Sequence, residues 1–226
     1  MNLPRVTKWI LGLNCGIWLL CSLMPLVSYI GSYRISFREQ YLALRPATNP
    51  LFMPWQVVTY AFMHAGFTHL LCNMFAVFMF GPMLEQRFGE KRFLLYYFVC
   101  AIGAALVQLL VWYLMGQNYG LTVGASGAVF GLLFAFGYFF PDVELYLLFI
   151  PIPIRARTFV IGYAVVELLA GLGDLGGFTM DNVAHFAHLG GLLFGWVLLA
   201  IWHYIDHHGH TSYGGNHAGF HYQPSV

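Results

Sequence analysis

The chain has 226 residues, of which 59% are hydrophobic and 8% are charged. A soluble domain usually carries about 25% charged residues, so this composition argues against a soluble protein and indicates one embedded in a bilayer. The formal net charge of +1 argues against a nucleic-acid partner. The cysteines are scattered through apolar runs, and their spacing predicts neither a disulfide framework nor a metal-binding motif.

Six apolar segments along the chain predict six membrane helices. They cover residues 9–30, 69–84, 93–115, 126–140, 158–172 and 183–205. The first is interpreted as an uncleaved helix, because its apolar region is long and no A-x-A cleavage site follows it. Several of the others are shorter than the ~20 residues that a bilayer core requires. The predicted fold class is an all-α membrane protein with a six-helix membrane domain over residues 1–206.

The basic residues predict the orientation of this domain. With the N-terminus in the cytoplasm, seven basic residues lie inside and three lie outside, as the positive-inside rule requires. The inside group is Arg5, Lys8, Arg87, Lys91, Arg92, Arg155 and Arg157, and the outside group is Arg34, Arg38 and Arg45. Both termini are then cytoplasmic. The long, largely apolar first loop, residues 31–66, is expected to lie partly in the lipid interface. The Gly/His-rich tail, residues 207–226, is predicted to be disordered.

Polar side chains inside or beside apolar segments are costly in a membrane and point to function. They occur in "HAGFTHLLCN", "GASG" and "HFAHLGGLLFG", which supply His64, His69, Asn73, Ser126, His185 and His188. Counted from the cytoplasmic ends of their helices, His69, Asn73, Ser126 and His188 lie at ~24, ~18, ~22 and ~21 Å. This shared depth predicts that the four residues form one site.

Two G-x-x-x-G pairs, a spacing that lets membrane helices approach closely, follow the polar residues. Gly127 and Gly131 follow Ser126, while Gly191 and Gly195 share a helix face with His188. The fourth and sixth segments are therefore expected to be in contact. That contact would bring the Ser126 hydroxyl within hydrogen-bonding distance of the imidazole.

A serine beside a neutral imidazole is the arrangement used for nucleophilic acyl transfer. Ser126 is the candidate nucleophile and His188 the candidate general base. His69 and Asn73, spaced i and i+4, share a face and could stabilise an oxyanion together with the Ser126 backbone N–H. Glu167 is the only carboxylate well inside a segment. Since none is obviously placed to orient the imidazole, a dyad rather than a triad is predicted.

Three neighbouring side chains have two interpretations each. His185 is expected to make a structural hydrogen bond rather than to act in the chemistry. Phe130 either stacks on His188 or is a core aromatic residue. Glu167 is either paired or protonated, or belongs to substrate gating.

In these motifs the sequence resembles the rhomboid family of intramembrane serine proteases. "HAGFTHLLCN", "GPMLEQRFG", "GASG" and "AHLGGLLFG" occur in the family's order. The resemblance implies the minimal bacterial six-helix form in the inner membrane, with transmembrane proteins as substrates and no cofactor or metal. It assigns the nucleophile to Ser126, the base to His188 and the oxyanion hole to His69 and Asn73. Gly124 would shape that hole, and His64 would lie near the outer rim.

Two alternatives remain open at this point. His64, His69, His185 and His188 could supply nitrogen ligands to a metal, although no H-E-x-x-H motif accompanies them. The chain could instead be a catalytically silent membrane chaperone or binding protein of the same fold. The oligomeric state is not predicted.

Overall fold

The computed structural model describes residues 3–23, 27–30, 33–147, 150–175 and 184–208. Long helices dominate this part of the chain. The elements, in order, are α1 (Arg5–Leu23), β1 (Val27–Ile30), β2 (Tyr33–Ser36), α2 (Phe37–Tyr41), α3 (Gln56–Thr59), a 3-10 turn (Tyr60–Phe62), α4 (Phe67–Phe88), α5 (Glu90–Leu114), α6 (Ser126–Phe139), β3 (Glu144–Leu147), β4 (Ile150–Arg155), α7 (Ala156–Leu175) and α8 (His185–His208).

The helical membrane fold predicted from the sequence is confirmed. Each of the six predicted segments corresponds to a helix, and α1, α4, α5, α7 and α8 are long and apolar enough to cross a membrane. The exception is α6, which has 14 residues. At 1.5 Å per residue it is ~21 Å long, shorter than a hydrocarbon core of ~30 Å.

The predicted end of the first segment is wrong. α1 ends at Leu23, and Val27–Ile30 is a strand that pairs antiparallel with Tyr33–Ser36. Pro25 stands between the two elements in the sequence, and a proline disrupts a continuing helix. The residues that follow include Val27, Tyr29 and Ile30, types that favour extended backbone. Hydrophobicity alone does not separate such a short apolar strand from the end of a helix.

Two further boundaries differ from the predictions. A second hairpin, β3 paired antiparallel with β4, precedes α7 and was not predicted. α8 continues to His208, two residues beyond the predicted end of the membrane domain at 206. The remainder of the predicted tail, residues 209–226, lies outside the described residues.

The first loop is folded and is attached to the segment that leads into α6. Gln56 is fully buried and donates hydrogen bonds from its side-chain amide to the carbonyls of Gln40 and Leu51. Leu44 and Thr122 exchange backbone hydrogen bonds, each with an N···O distance of 3.0 Å. These contacts satisfy buried polar groups that a loose loop would leave unpaired. The position of this loop in the lipid interface stays a prediction.

A buried carboxylate joins the beginning of α1 to α4. The Glu85 oxygens accept hydrogen bonds from the backbone N–H groups of Val6 and Thr7, at 2.9 and 2.7 Å. The Thr7 hydroxyl also donates to Glu85 at 2.7 Å. The first N–H groups of a helix have no acceptor within the helix, and its N-terminus carries a partial positive charge. Glu85 therefore acts as a cap supplied by another helix.

Glycines allow α6 and α8 to come into backbone contact. A Cβ atom at Gly191 would overlap the backbone carbonyl of Gly127. One turn further along the same face of α6, a Cβ atom at Gly131 would overlap the sulfur of Cys100 on α5. The predicted contact between the fourth and sixth segments is confirmed, and Gly127 and Gly191 form it.

Tyr96 on α5 completes this packing below the glycine contact. Its hydroxyl donates to the carbonyl of Gly131 at 2.8 Å. The same hydroxyl occupies the space that a Cβ atom at Gly195 would need. A helical carbonyl that accepts such a bond from another helix adds a specific contact to apolar packing.

We expect Gly191→Ala to lower the free energy of unfolding by about 1–3 kcal/mol, because a methyl group there forces α8 away from α6. Gly162→Ala is the matched control, since nothing lies within 4 Å of the Cβ position of this helical glycine. Unfolding of the purified protein in detergent measures both. Equal stability of the two variants would contradict the proposed importance of the contact.

Candidate active site

Ser126 is the first residue of α6, and its hydroxyl meets the imidazole of His188 near the beginning of α8. The distance between Ser126 Oγ and His188 Nε2 is 2.8 Å, a normal hydrogen-bond length. The two residues are 62 positions apart in the sequence. The contact predicted from depth and glycine spacing is therefore present.

The imidazole of His188 packs against an aromatic ring. Its ring is stacked on Phe130, with centroids 4.3 Å apart and planes 8° apart. Phe130 in turn contacts Tyr163 on α7 at a centroid distance of 4.9 Å. Of the two interpretations of Phe130, the structure supports stacking on the histidine. The stack limits rotation of the imidazole and keeps its edge directed at Ser126.

The prediction that no carboxylate orients His188 is wrong. Glu167 on α7 places Oε2 2.9 Å from His188 Nδ1 and 2.7 Å from His185 Nδ1. All three residues are buried. The hydrogen bond expected for His185 is thus present, and its partner is Glu167. The sequence does not reveal which face α7 turns towards α8.

The contact with Glu167 bears on the tautomer of His188. An ionised carboxylate only accepts hydrogen bonds, so the imidazole must present Nδ1–H to it. Nε2 then carries a lone pair and accepts the Ser126 hydroxyl proton. The sequence carried a signal for this role, since a lone carboxylate in an apolar helix requires a partner.

His69, on α4, lies against the segment that leads into Ser126, and Asn73 lies one turn further along α4. Gly124, two residues before Ser126, has φ of +126°, and a Cβ atom there would lie 2.7 Å from the ring atoms Cε1 and Nε2 of His69. Only glycine fits both the backbone conformation and the approach of the ring. The Asn73 side-chain amide donates one hydrogen bond to the His69 carbonyl at 2.9 Å. This amide has a second hydrogen that can be donated to a ligand.

His64 lies behind His69, and the two rings are 5.2 Å apart in an edge-on arrangement. It is only 2% exposed, and neither of its ring nitrogens has a hydrogen-bond partner within the described part of the chain. Burial and the neighbouring His69 lower the pKa of His64 to about 4, so this imidazole is neutral at pH 7.

The four-histidine metal site considered from the sequence does not form among the described residues. The group there that could hold a metal ion consists of Glu167, His185 and His188, whose donor atoms lie within 4.8 Å of one another. The Nδ1 atoms of His185 and His188 already form hydrogen bonds to one oxygen of Glu167. A metal bound there would displace the Nδ1 proton of His188, since a metal ligand must be deprotonated.

Apolar helices around this serine–histidine contact define a multi-pass integral membrane protein with a polar site inside a helical bundle. The profile described as the Rhomboid domain matches residues 52–205. The chain belongs to the rhomboid family.

Individual relatives agree with this assignment. Rhomboid-like protein 11, chloroplastic, of Arabidopsis thaliana is 36% identical over 157 residues, covering 64% of this chain and 51% of the relative. Rhomboid protein 1, mitochondrial, of Saccharomyces cerevisiae is 34% identical over 152 residues, covering 63% and 41%. Rhomboid-like protease 3 of Toxoplasma gondii is 32% identical over 148 residues, covering 66% and 51%. The chain thus spans about half or less of the length of these relatives.

Proposed function

We propose that the chain is an intramembrane serine endopeptidase that hydrolyses peptide bonds in or next to transmembrane segments of other membrane proteins. The single observation that carries the proposal is the 2.8 Å hydrogen bond between Ser126 Oγ and His188 Nε2. Membership of the rhomboid family supports the same reaction class.

The reaction begins when His188 Nε2 accepts the Ser126 hydroxyl proton as Oγ attacks the carbonyl carbon of the scissile bond. The tetrahedral intermediate collapses to an acyl-enzyme, and the imidazolium returns the proton to the leaving amine. Water then attacks the ester while His188 takes a proton from it, and the imidazolium returns that proton to Ser126 Oγ as the acid product leaves. The proton and the acyl group are both accounted for, so the pair requires no cofactor.

We assign three donors to the oxyanion that the reaction would form. The Ser126 N–H, at the first residue of α6, has no acceptor within its own helix. The imidazole of His69 and the second amide hydrogen of Asn73 are the other two. Donors already in place when the charge develops stabilise the transition state without reorganisation.

The surroundings of the site favour a substrate that is itself in the membrane. Five of the helices have the length and composition of membrane spans. Many side chains of α7 are exposed and apolar, including Ile161, Val166 and Leu169. We propose that both termini are cytoplasmic, which follows from the distribution of basic residues, and that the membrane is the bacterial inner membrane, as the resemblance to the minimal bacterial form implies. Single-span membrane proteins would be the substrates.

Two other functions make different predictions. A silent membrane chaperone or binding protein of this fold would work without the Ser126 hydroxyl. A metalloenzyme would use Glu167, His185 and His188 as ligands and would be inhibited by chelators. Neither function explains why the Ser126 hydroxyl contacts Nε2 of His188 while Nδ1 of the same ring contacts Glu167.

We expect the wild-type chain in liposomes to cleave a single-span protein whose helix contains small or helix-breaking residues. Ser126→Ala and His188→Ala should lose cleavage, whereas His203→Ala, an exposed position further along α8, should keep it. Quantified product bands measure the rates, with and without a chelator. Cleavage by Ser126→Ala would exclude the nucleophile assignment, and chelator sensitivity would favour the metalloenzyme.

The oxyanion assignment predicts that Asn73→Ala and His69→Ala each lower kcat by roughly 10²–10³-fold with little change in KM, because the donors act on the transition state. Cys72→Ala, at an exposed position on the same helix, is the control. A rise in KM with unchanged kcat would instead assign these side chains to substrate binding.

A further inference from the structure

We propose that Glu167 is a positioning residue for this reaction, so that the chain contains a carboxylate–imidazole–hydroxyl series rather than a serine–histidine pair alone. The proposal rests on the proposed protease function. His185 belongs to the arrangement as the second donor that holds the carboxylate in place.

The geometry of Glu167 carries the proposal. One oxygen, Oε2, accepts from His188 Nδ1 at 2.9 Å and from His185 Nδ1 at 2.7 Å. His185 and His188 lie one turn apart on α8, so two successive turns of one helix bind a single oxygen from α7. Two hydrogen bonds to one oxygen restrict the position of the carboxylate. The series then continues through the ring to Ser126.

The carboxylate has two effects on His188. It selects the tautomer with the proton on Nδ1, which leaves Nε2 as the acceptor that a general base requires. It also stabilises the imidazolium that forms when Nε2 takes the serine proton, because opposite charges attract strongly in a medium of low dielectric constant. A neutral side chain at the same position would supply neither effect fully.

The burial of Glu167 argues against a purely structural role for its carboxylate. A carboxylate that is 4% exposed is unfavourable unless several donors satisfy it. Hydrophobic packing would secure α7 against α8 without this cost. The donors that satisfy it include the ring that contacts Ser126.

Three other polar groups lie close to the imidazole of His188, and a fourth lies close to Glu167. Ser126 approaches from α6, and His185 from the preceding turn of α8. His69 on α4 interacts with it electrostatically. Tyr163 on α7 lies close to Glu167. Among the described residues in contact with His188, Glu167 is the carboxylate, so its removal is the substitution with the largest expected effect on the charge of the site.

The test is Glu167→Gln in the full-length protein, with cleavage rates measured across pH. We expect kcat to fall by on the order of 10²-fold with KM nearly unchanged, because the side chain acts on the base and not on substrate binding. The acidic limb of the rate profile should move to lower pH. The neutral amide stabilises the imidazolium less than the carboxylate does, so His188 becomes the neutral base at a lower pH. Glu167→Asp should retain a limb near that of the wild type.

Glu144→Gln, which removes an exposed carboxylate, is the matched control and should change neither quantity. A fall in rate without movement of the acidic limb would assign Glu167 to structure alone and overturn the proposal. An unchanged rate would overturn it as well.

A second measurement does not depend on activity. The ¹⁵N chemical shifts of the His188 ring in the resting wild-type protein should report protonated Nδ1 and unprotonated Nε2, and Glu167→Gln should shift this ratio. If the wild type carried its proton on Nε2, the proposal would fail even though cleavage occurred. If the wild type showed the expected tautomer but cleaved nothing, the protease assignment would fail while the role of Glu167 in orienting the ring would stand.

Discussion

The site depends on the close approach of α6 and α8 at Gly127 and Gly191. Because neither residue has a side chain, the backbones touch. Ser126, the residue before Gly127, and His188, one helical turn before Gly191, then come within hydrogen-bonding distance. Lipid tails are as apolar as the helix surfaces, so the hydrophobic effect does not drive this association, and packing with interhelical hydrogen bonds must do so. The two glycines therefore act indirectly, by allowing the helix approach that brings Ser126 and His188 together.

The membrane explains why the polar groups form connected series rather than isolated contacts. An unsatisfied polar group in a region without bulk water costs several kcal/mol. Glu85 meets this constraint by capping α1, and Glu167 meets it by binding two histidines. The first arrangement fixes helix positions, while the second extends to the candidate nucleophile. The same constraint thus explains both the cap that Glu85 forms on α1 and the contact that Glu167 makes with the imidazole of His188.

Much of this arrangement could be predicted from the sequence, because membrane helices have a strong hydropathy signal. The six segments, the glycine contact and the approach of Ser126 to His188 follow from residue counts along straight helices. The role of Glu167 does not, because it depends on the rotation of α7 about its axis, and α7 has an apolar surface almost all round. The strand Val27–Ile30 was missed for a related reason, since four apolar residues carry no reliable period.

The central claim is that Ser126 is a nucleophile activated by His188. The most direct measurement is covalent labelling of the purified protein by a fluorophosphonate, followed by mass spectrometry of the peptide that contains Ser126. We predict one adduct on Ser126 in the wild type, with labelling strongly reduced in His188→Ala, because the hydroxyl is unreactive without a base. Labelling at another serine, or equal labelling of Ser126 in both proteins, would contradict the account.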